Sequence, residues 1–177
     1  AVGRSAPKVE GIGLVSGKAR YTDDLAPPGT LTGRIKRSPH AHARIKRIDT
    51  SKALALPGVH AVLTSKDVPR VLFSTAGQNC PEPSPYDAVV LDSVVRFVGD
   101  RVALVAAETP LLAEKACDLI EVEYEVLPAV LDPAHAMDPG APKLHPEPDK
   151  TGIADASRNL AGRVEASVGD VERGLRE

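Results

Sequence analysis

Hydrophobic and polar positions alternate with a period of two in four stretches of this chain, which predicts four β-strands. The stretches are LTGRIKRS at 31–38, AHARIKRI at 41–48, VHAVLT at 59–64 and EVEYEV at 121–126. The residues expected to share one face are Ala41, Ala43 and Ile45 in the second stretch, Val59, Ala61 and Leu63 in the third, and Val122, Tyr124 and Val126 in the fourth. In the second stretch, His42 falls on the opposite, solvated face beside basic residues.

A fifth stretch, VVRFVGDRVALVAAET at 94–109, predicts two strands or one strand bent at Gly99. Its segment ALVAA is apolar enough for a central strand of a sheet. The glutamates of 121–126 are expected to point outwards while the valines and the tyrosine pack against a helix.

Two helices are predicted from capping residues and apolar spacing. The run SKALAL at 51–56 is short, with Thr50 or Ser51 as the N-cap and with Pro57 and Gly58 ending it. The longer helix begins at Thr109 as cap and Pro110 as first residue, and its apolar residues are Leu112, Ala116, Leu119 and Ile120. The succession of a strand, a helix and a second strand across 94–126 favours a parallel pair of these two strands, joined by a right-handed crossover.

Four segments are expected along the chain: a glycine-rich extended arm at 1–29, a main domain at 30–137, a Pro-rich linker at 138–154, and a tail at 155–177 that holds a strand and a helix start. A loop with three prolines is expected at 73–86. We expect 73–86 and 138–149 to be exposed or mobile in this chain and to serve as interaction surfaces in a larger protein.

Composition indicates a globular protein, with 42% apolar residues and a net charge of −2. Trp is absent and aromatic residues make up 3%, which disfavours nucleic-acid binding. Cys80 and Cys117 stand far apart without nearby ligand motifs, so we expect no disulfide, zinc site or iron–sulfur site and a reducing, cytoplasmic location. No signal peptide and no apolar run of the ~20 residues that span a bilayer are found, which predicts no membrane association. The chain starts without Met and stops within an apparent helix start, so we expect it to be part of something longer.

His40 and His42 are the first candidates for chemistry, because residues two apart on a strand point the same way. A metal site needs a third ligand, however, and the neighbouring Arg44 and Lys46 would repel a cation. Neither histidine has a carboxylate close in sequence to fix its tautomer, the nearest being Asp49. We interpret them as partly solvated histidines of a strand. A small stand-alone enzyme that uses His40 or His42 is one alternative.

The basic stretch 33–52 contains seven Lys or Arg residues and one Asp, which suggests a second alternative, a module that binds nucleic acid or another polyanion. The stretch 114–125 carries five acidic residues and one Lys. Because such stretches can pair across the surface of a sheet, charge balance within the fold is the favoured interpretation.

Three weaker motifs carry no assignment. GIGLVSG at 11–17 is similar to a phosphate-binding glycine loop but has the wrong spacing and no flanking strand and helix. Glu82 and the pair Asp23 and Asp24 have no identifiable partners, so we interpret them as loop or capping residues.

Four ordered segments resemble one family, the molybdenum hydroxylases, which include xanthine dehydrogenase, aldehyde oxidoreductase, carbon monoxide dehydrogenase and 4-hydroxybenzoyl-CoA reductase. The segments are SGKARYTDDL at 16–25, RSPHAHARIKRIDTSKALALPGVHAVLTSKDVP at 37–69, VRFVGDRVALVAAET at 95–109, and 113–136 with its LIEVEYEVLPAVLDPAHA. The resemblance is to the N-terminal α/β-hammerhead domain of the large molybdenum-cofactor subunit.

The resemblance implies an α+β fold in which a mixed β-sheet is flanked by helices, at 30–137 here, with 155–177 leading into cofactor-binding domains. It implies an oxidoreductase as parent, with molybdopterin in later domains and with iron–sulfur clusters and FAD in other subunits or domains. These domains and subunits are the expected partners. It assigns no catalytic, cofactor-binding or metal-binding residue to this chain, so we expect a non-catalytic fragment without a cofactor of its own.

Overall fold

A computed structural model describes residues 2–75, 84–166 and 168–176 of the chain. It divides into two compact units, Ala1–Leu31 and Thr32–Glu177, which are described separately. Most of the predicted loop 73–86, with Cys80 and Glu82, lies outside the described residues.

The first unit contains a short helix, α1 (Gly11–Val15), and a 3-10 turn at Thr22–Leu25. The expectation of a wholly extended arm is therefore wrong at α1. A helix of five residues needs only local bonds, such as that from the Leu14 amide to the Glu10 carbonyl at 3.0 Å, so it leaves no apolar periodicity in the sequence. Asp24 caps the 3-10 turn by accepting a hydrogen bond of 3.0 Å from the Tyr21 amide, which confirms its interpretation as a capping residue.

The second unit contains six strands and three helices among its described residues. These are β1 (Thr32–Arg37), β2 (Ala43–Asp49), α2 (Ser51–Leu54), β3 (Val59–Leu63), β4 (Val94–Val95), β5 (Arg101–Ala107), α3 (Pro110–Leu119), β6 (Glu121–Val126) and α4 (Val171–Gly174). Short 3-10 turns occur at Pro133–His135 and Ala156–Arg158.

The described strands form two three-stranded sheets, ordered β1-β5-β3 and β4-β2-β6, and their pairings are antiparallel. The α+β class is confirmed, and β5 is the central strand of its sheet as predicted. The predicted parallel pair is wrong, because α3 carries the chain from β5 in the first sheet to β6 in the second. The stretch 94–109 likewise contributes one strand to each sheet, separated by a turn in which Gly99 has φ 93°.

Helix α3 covers one face of the first sheet. The Thr109 side chain accepts a hydrogen bond of 3.2 Å from the Leu112 amide, and Pro110 occupies the first turn, which confirms the predicted start. The buried residues of α3 include Ala116, as predicted, and Ala113 and Cys117, which periodicity did not single out. Small side chains here let the helix lie close to the sheet, where the core contains Ala53, Val62, Ala103, Val105, Ala107, Ala113, Ala116, Cys117 and Ile120.

A second buried cluster, of Ala43, Val95 and Val102, lies at the second sheet. Ile48 and Val122 pack against both clusters, so they join the two sheets into one core. Val122 and Tyr124 face this core as predicted. Val126 does not, because it lies at the end of edge strand β6 and remains 65% exposed.

The expectation that Val59 shares one face with Ala61 and Leu63 is wrong because the backbone of β3 is irregular. The β3–β5 register shifts between Val59 and Ala61, so Val62 is buried while Leu63 is 38% exposed. Thr50 is the N-cap residue of α2, one of the two predicted positions, but its side chain makes no capping bond. Asp49 takes that role, because its Oδ1 accepts hydrogen bonds from the Ser51 amide at 3.0 Å and the Ser51 hydroxyl at 2.6 Å.

The tail begins the helix α4 as predicted, with the Asp170 side chain accepting a bond from the Arg173 amide. The predicted strand before it is absent from the described residues 161–166 and 168. We attribute this to the lack of a neighbouring strand edge, since backbone alternation alone does not stabilise an isolated strand.

Candidate functional site

The segment SPHAH at 38–42, where the sequence places its two candidate histidines, joins three parts of the second unit. Its backbone meets the turn before β5 through bonds from Ser38 N to the Asp100 carbonyl and from Gly99 N to the Ser38 carbonyl. His42 is 7% exposed, and its Nδ1–H donates to the Pro128 carbonyl at 2.6 Å. The solvated position predicted for His42 is therefore wrong. Strand β2 begins only at Ala43, so strand alternation does not apply to the residue before it.

His40 has different neighbours. Its ring packs edge-on against Tyr124, with centroids 4.8 Å apart, and its amide donates to the Ser38 hydroxyl oxygen at 3.0 Å. Burial raises the pKa of Tyr124, so its phenol stays protonated at neutral pH. The two histidines thus serve separate contacts, and neither is grouped with other metal-ligating side chains among the described residues.

The basic stretch is largely neutralised within the fold. Strands β2 and β6 pair directly, with Arg44 opposite Glu125 at 3.4 Å, and Lys52 forms an ion pair with Glu121. Arg34 on β1 lies 3.5 Å from Glu114 on α3. This confirms the predicted pairing of the basic and acidic stretches, and it removes the main support for a polyanion-binding module.

A buried group of charges, which we call the Arg96 cluster, consists of Asp92, Arg96, Glu147 and Lys150. Arg96, with 11% of its side chain exposed, donates to the Asp92 carboxylate at 2.9 Å, to the Leu144 carbonyl at 2.7 Å and to the Glu147 carboxylate. Burial opposes the charged form of Asp92, but the hydrogen bond and charge of Arg96 outweigh it and lower the pKa of this carboxyl.

Lys150 lies on the far side of Glu147 with its side chain fully buried, and its ammonium is 3.5 Å from the second Glu147 oxygen. Burial lowers the pKa of Lys150. The ammonium also donates to Nδ1 of His145 at 2.9 Å, which leaves the His145 proton on Nε2, 3.8 Å from the Asp87 carboxylate. Burial, followed by the charges of Lys150 and Arg96, lowers the pKa of His145.

Residues 138–154, predicted as a linker, are attached to the rest of the unit by these contacts. Arg70 bonds to Asp149 at 2.8 Å, and the Tyr86 amide bonds to the Thr151 carbonyl at 2.8 Å. Asn159, in a left-handed conformation, accepts from the Leu144 amide and donates to the Pro142 carbonyl, each at 2.9 Å. The expectation that 138–149 is exposed in this chain is wrong at residues 141, 142, 144, 145 and 147, which are partly buried.

A cleft of about 460 Å³ lies beside the Arg96 cluster, lined in part by Asp87, Phe97, Asp100, Arg101 and His145. Its charged side chains have partners in the fold. Arg101 donates to the Val89 carbonyl, Asp100 accepts from the Arg96 amide, and Arg96 forms an ion pair with Asp92. The arrangement fixes residues 144–150 on the β4 side of the unit. Sequence reasoning missed it because Arg96 and Glu147 are 51 residues apart, and the only signal was the density of charges in KLHPEPDK.

The glycine-rich motif does not form the phosphate-binding loop to which its sequence is similar. GIGLVSG contains α1 and is not preceded by a strand, so it does not form a strand–loop–helix phosphate cradle. Within the described parts of the chain, no three His, Cys, Asp or Glu side chains are grouped to hold a metal ion. No helix in these parts is long and apolar enough to cross a membrane.

Comparison with known proteins identifies the fold. Residues 16–128 match the family described as aldehyde oxidase and xanthine dehydrogenase, a/b hammerhead domain. A probable hypoxanthine oxidase of Escherichia coli O157:H7 is 44% identical over 83% of this chain and 15% of its own length. The carbon monoxide dehydrogenase large chain of Afipia carboxidovorans is 42% identical over 97% of this chain and 21% of its own length.

Solved structures agree. A Cu,Mo-CO dehydrogenase aligns with a TM-score of 0.77 and 39% identity over 98% of this chain and 22% of that chain. Aldehyde oxidoreductase from Desulfovibrio gigas aligns with a TM-score of 0.69 and 35% identity over 79% of this chain and 16% of that chain. This chain spans only about a fifth of the length of these relatives. The resemblance inferred from the sequence is confirmed: the chain belongs to the aldehyde oxidase and xanthine dehydrogenase family, and it contains the α/β-hammerhead domain of that family's large subunits.

Proposed function

We propose that this chain is a non-catalytic scaffold domain of a molybdenum-pterin oxidoreductase. The observation that carries the proposal is the hammerhead match over residues 16–128, in a chain that corresponds to 15–21% of relatives named as oxidases and dehydrogenases. The whole protein is expected to hydroxylate aldehydes or heteroaromatic compounds, with water as the oxygen source, or to reduce an aromatic thioester.

The described residues do not fit a resident molybdenum-pterin group or an iron–sulfur cluster. The two candidate histidines lie in unrelated contacts, the glycine-rich stretch contains a short helix, and the Cys117 side chain is buried in the core on the inner face of α3. No step of the reaction is therefore assigned to the described residues of this chain. That the chain carries no cofactor remains a prediction, as does the presence of molybdopterin, iron–sulfur clusters and FAD in other domains or subunits.

The residues of this chain act by holding backbone segments in place. His42 binds the segment that follows β6 to the segment that precedes β2, through its bond to the Pro128 carbonyl. The Arg96 cluster binds residues 144–150 to β4. Charge-assisted bonds in a site with little water are strong and directional, so they orient the chain that follows them.

The expected partners are the cofactor-binding domains of the large subunit and the iron–sulfur and FAD subunits or domains. A role for residues 73–86 as an interaction surface stays a prediction, because most of them lie outside the described parts. A cytoplasmic location, expected from the two isolated cysteines, also stays a prediction.

Purification of the complete polypeptide encoded by the open reading frame that contains this chain tests the proposal. We expect about one molybdenum atom per polypeptide and turnover of an aldehyde, a purine, another N-heterocycle, an aromatic thioester or carbon monoxide with an artificial electron acceptor or donor. Full turnover in a variant with both His40→Ala and His42→Gln is expected once the protein is folded. A molybdenum-free polypeptide without oxidoreductase activity would contradict the proposal.

A further inference from the structure

Among the described residues of the second unit, helices cover one face of the first sheet and leave the other without a helix. Ala103, Val105 and Ala107 of β5 point towards α2 and α3 and are buried. Because side chains alternate along a strand, Leu104 and Ala106 point to the opposite face, and both are partly exposed. This opposite face has the composition of a core rather than of a solvated surface.

The register of the three strands arranges this face in two rows. Ala106 lies opposite Gly33 on β1 and Ala61 on β3, which makes a row of small residues. Leu104 lies opposite Ile35 and Leu63, which makes a parallel row of large aliphatic residues. We call these six residues the outer face. They line a groove of about 430 Å³ together with Arg34 and Val105.

One end of the same side of β5 is already covered. Val102, two residues before Leu104, is fully buried against Ala43 and Val95 of the second sheet. The outer face therefore continues a packed core, but among the described residues of the second unit no element covers it beyond Val102. Contiguous apolar side chains on the open face of a sheet favour burial by another element, because their hydration is unfavourable.

We propose that the outer face is a docking surface for the rest of the same polypeptide, which contributes a ridge of large aliphatic or aromatic side chains to the row Gly33, Ala61 and Ala106. This inference rests on the proposed function. The length of the relatives supports the docking proposal. This chain corresponds to only 15% and 21% of two of them, so most of each relative lies outside the matched part and could supply the docking side chains. The small row is the recess that a protruding side chain fills, and Leu63 and Ile35 form its wall.

Cysteine labelling of the complete polypeptide tests the proposal. Leu63→Cys and Ala61→Cys place thiols on the outer face, and Leu111→Cys, at a position 77% exposed on α3, is the matched control. Reaction with N-ethylmaleimide is followed by mass spectrometry of each peptide, with the urea-unfolded polypeptide as the reference. We expect protection of at least about 50-fold at positions 61 and 63 and less than about 5-fold at position 111, because a thiol in a packed interface reacts only after local opening.

Protection below about 5-fold at both outer-face positions would overturn the proposal. Protection that appears only at concentrations where sedimentation shows a dimer, or only with phospholipid vesicles, would assign the face to a second copy or to a membrane and would also overturn it. The molybdenum content of the same preparation separates the two proposals. Protection without molybdenum or turnover would contradict the proposed function and leave the docking surface standing.

Discussion

Replacement of Arg96 by methionine should strongly destabilise the chain. Methionine keeps much of the aliphatic volume but removes the guanidinium that pairs with Asp92 and Glu147, whose side chains are only 14% and 25% exposed. It also leaves the Leu144 carbonyl without this donor. Removing one partner of a buried ion pair costs about 3–5 kcal/mol. Because the two carboxylates keep some contact with water, we expect a loss of about 2–4 kcal/mol here.

Arg44→Met is the matched control. Arg44 pairs with Glu125 across β2 and β6, but the two side chains are 57% and 40% exposed, and such surface pairs contribute less than about 1 kcal/mol. Urea unfolding of the 177-residue chain at pH 7, followed by circular dichroism, measures both variants. Equal losses in the two variants would show that the Arg96 cluster is not buried as described. A smaller denaturant slope for Arg96→Met would instead show that residues 144–150 detach before the rest unfolds.

Three further predictions concern the core, the turns and pH. Val122→Ala should lower the free energy of unfolding by about 1–3 kcal/mol, because Val122 packs against both buried clusters. Glu123→Ala, at an exposed position, should lower it by less than about 0.5 kcal/mol. Equal losses in urea unfolding would refute the register of β6. Gly58→Ala should lower the free energy of unfolding by about 1–3 kcal/mol, because φ is +85° and a Cβ would lie 2.8 Å from a leucine methyl of α3. Gly33→Ala, where the added Cβ meets open space, should change it by less than about 1 kcal/mol. Similar losses in the two variants would contradict the turn geometry at Gly58. Burial lowers the pKa of His145, so the unfolded chain binds more protons and stability should fall as pH drops below about 6.5. His145→Asn should flatten that slope below about pH 6.5, and an unchanged slope would refute the prediction.

Local sequence signals predicted much of the fold. Thr109 and Pro110 begin α3 as expected, because a capping hydroxyl and a first-turn proline act on their own helix. The charge complementarity of the stretches 33–52 and 114–125 was also foreseen, and β2 and β6 show it where Arg44 pairs with Glu125.

What sequence reasoning missed depends on distant partners. The two-sheet topology arises because α3 delivers β6 to a different sheet, and no local pattern of strand, helix and strand distinguishes this from a parallel pair. The burial of His42 depends on the carbonyl of Pro128, 86 residues away. The Arg96 cluster similarly joins β4 to a Pro-rich segment whose composition indicated a linker.

Elemental analysis of the purified 177-residue chain tests most directly whether this chain supplies scaffold rather than a reaction centre. We predict less than stoichiometric molybdenum, iron and zinc in the wild-type chain, and the same values in a variant with both His40→Ala and His42→Ala, because the two histidines contact Tyr124 and the Pro128 carbonyl rather than a shared ligand. One bound metal ion per chain that disappears in the double variant would contradict the account.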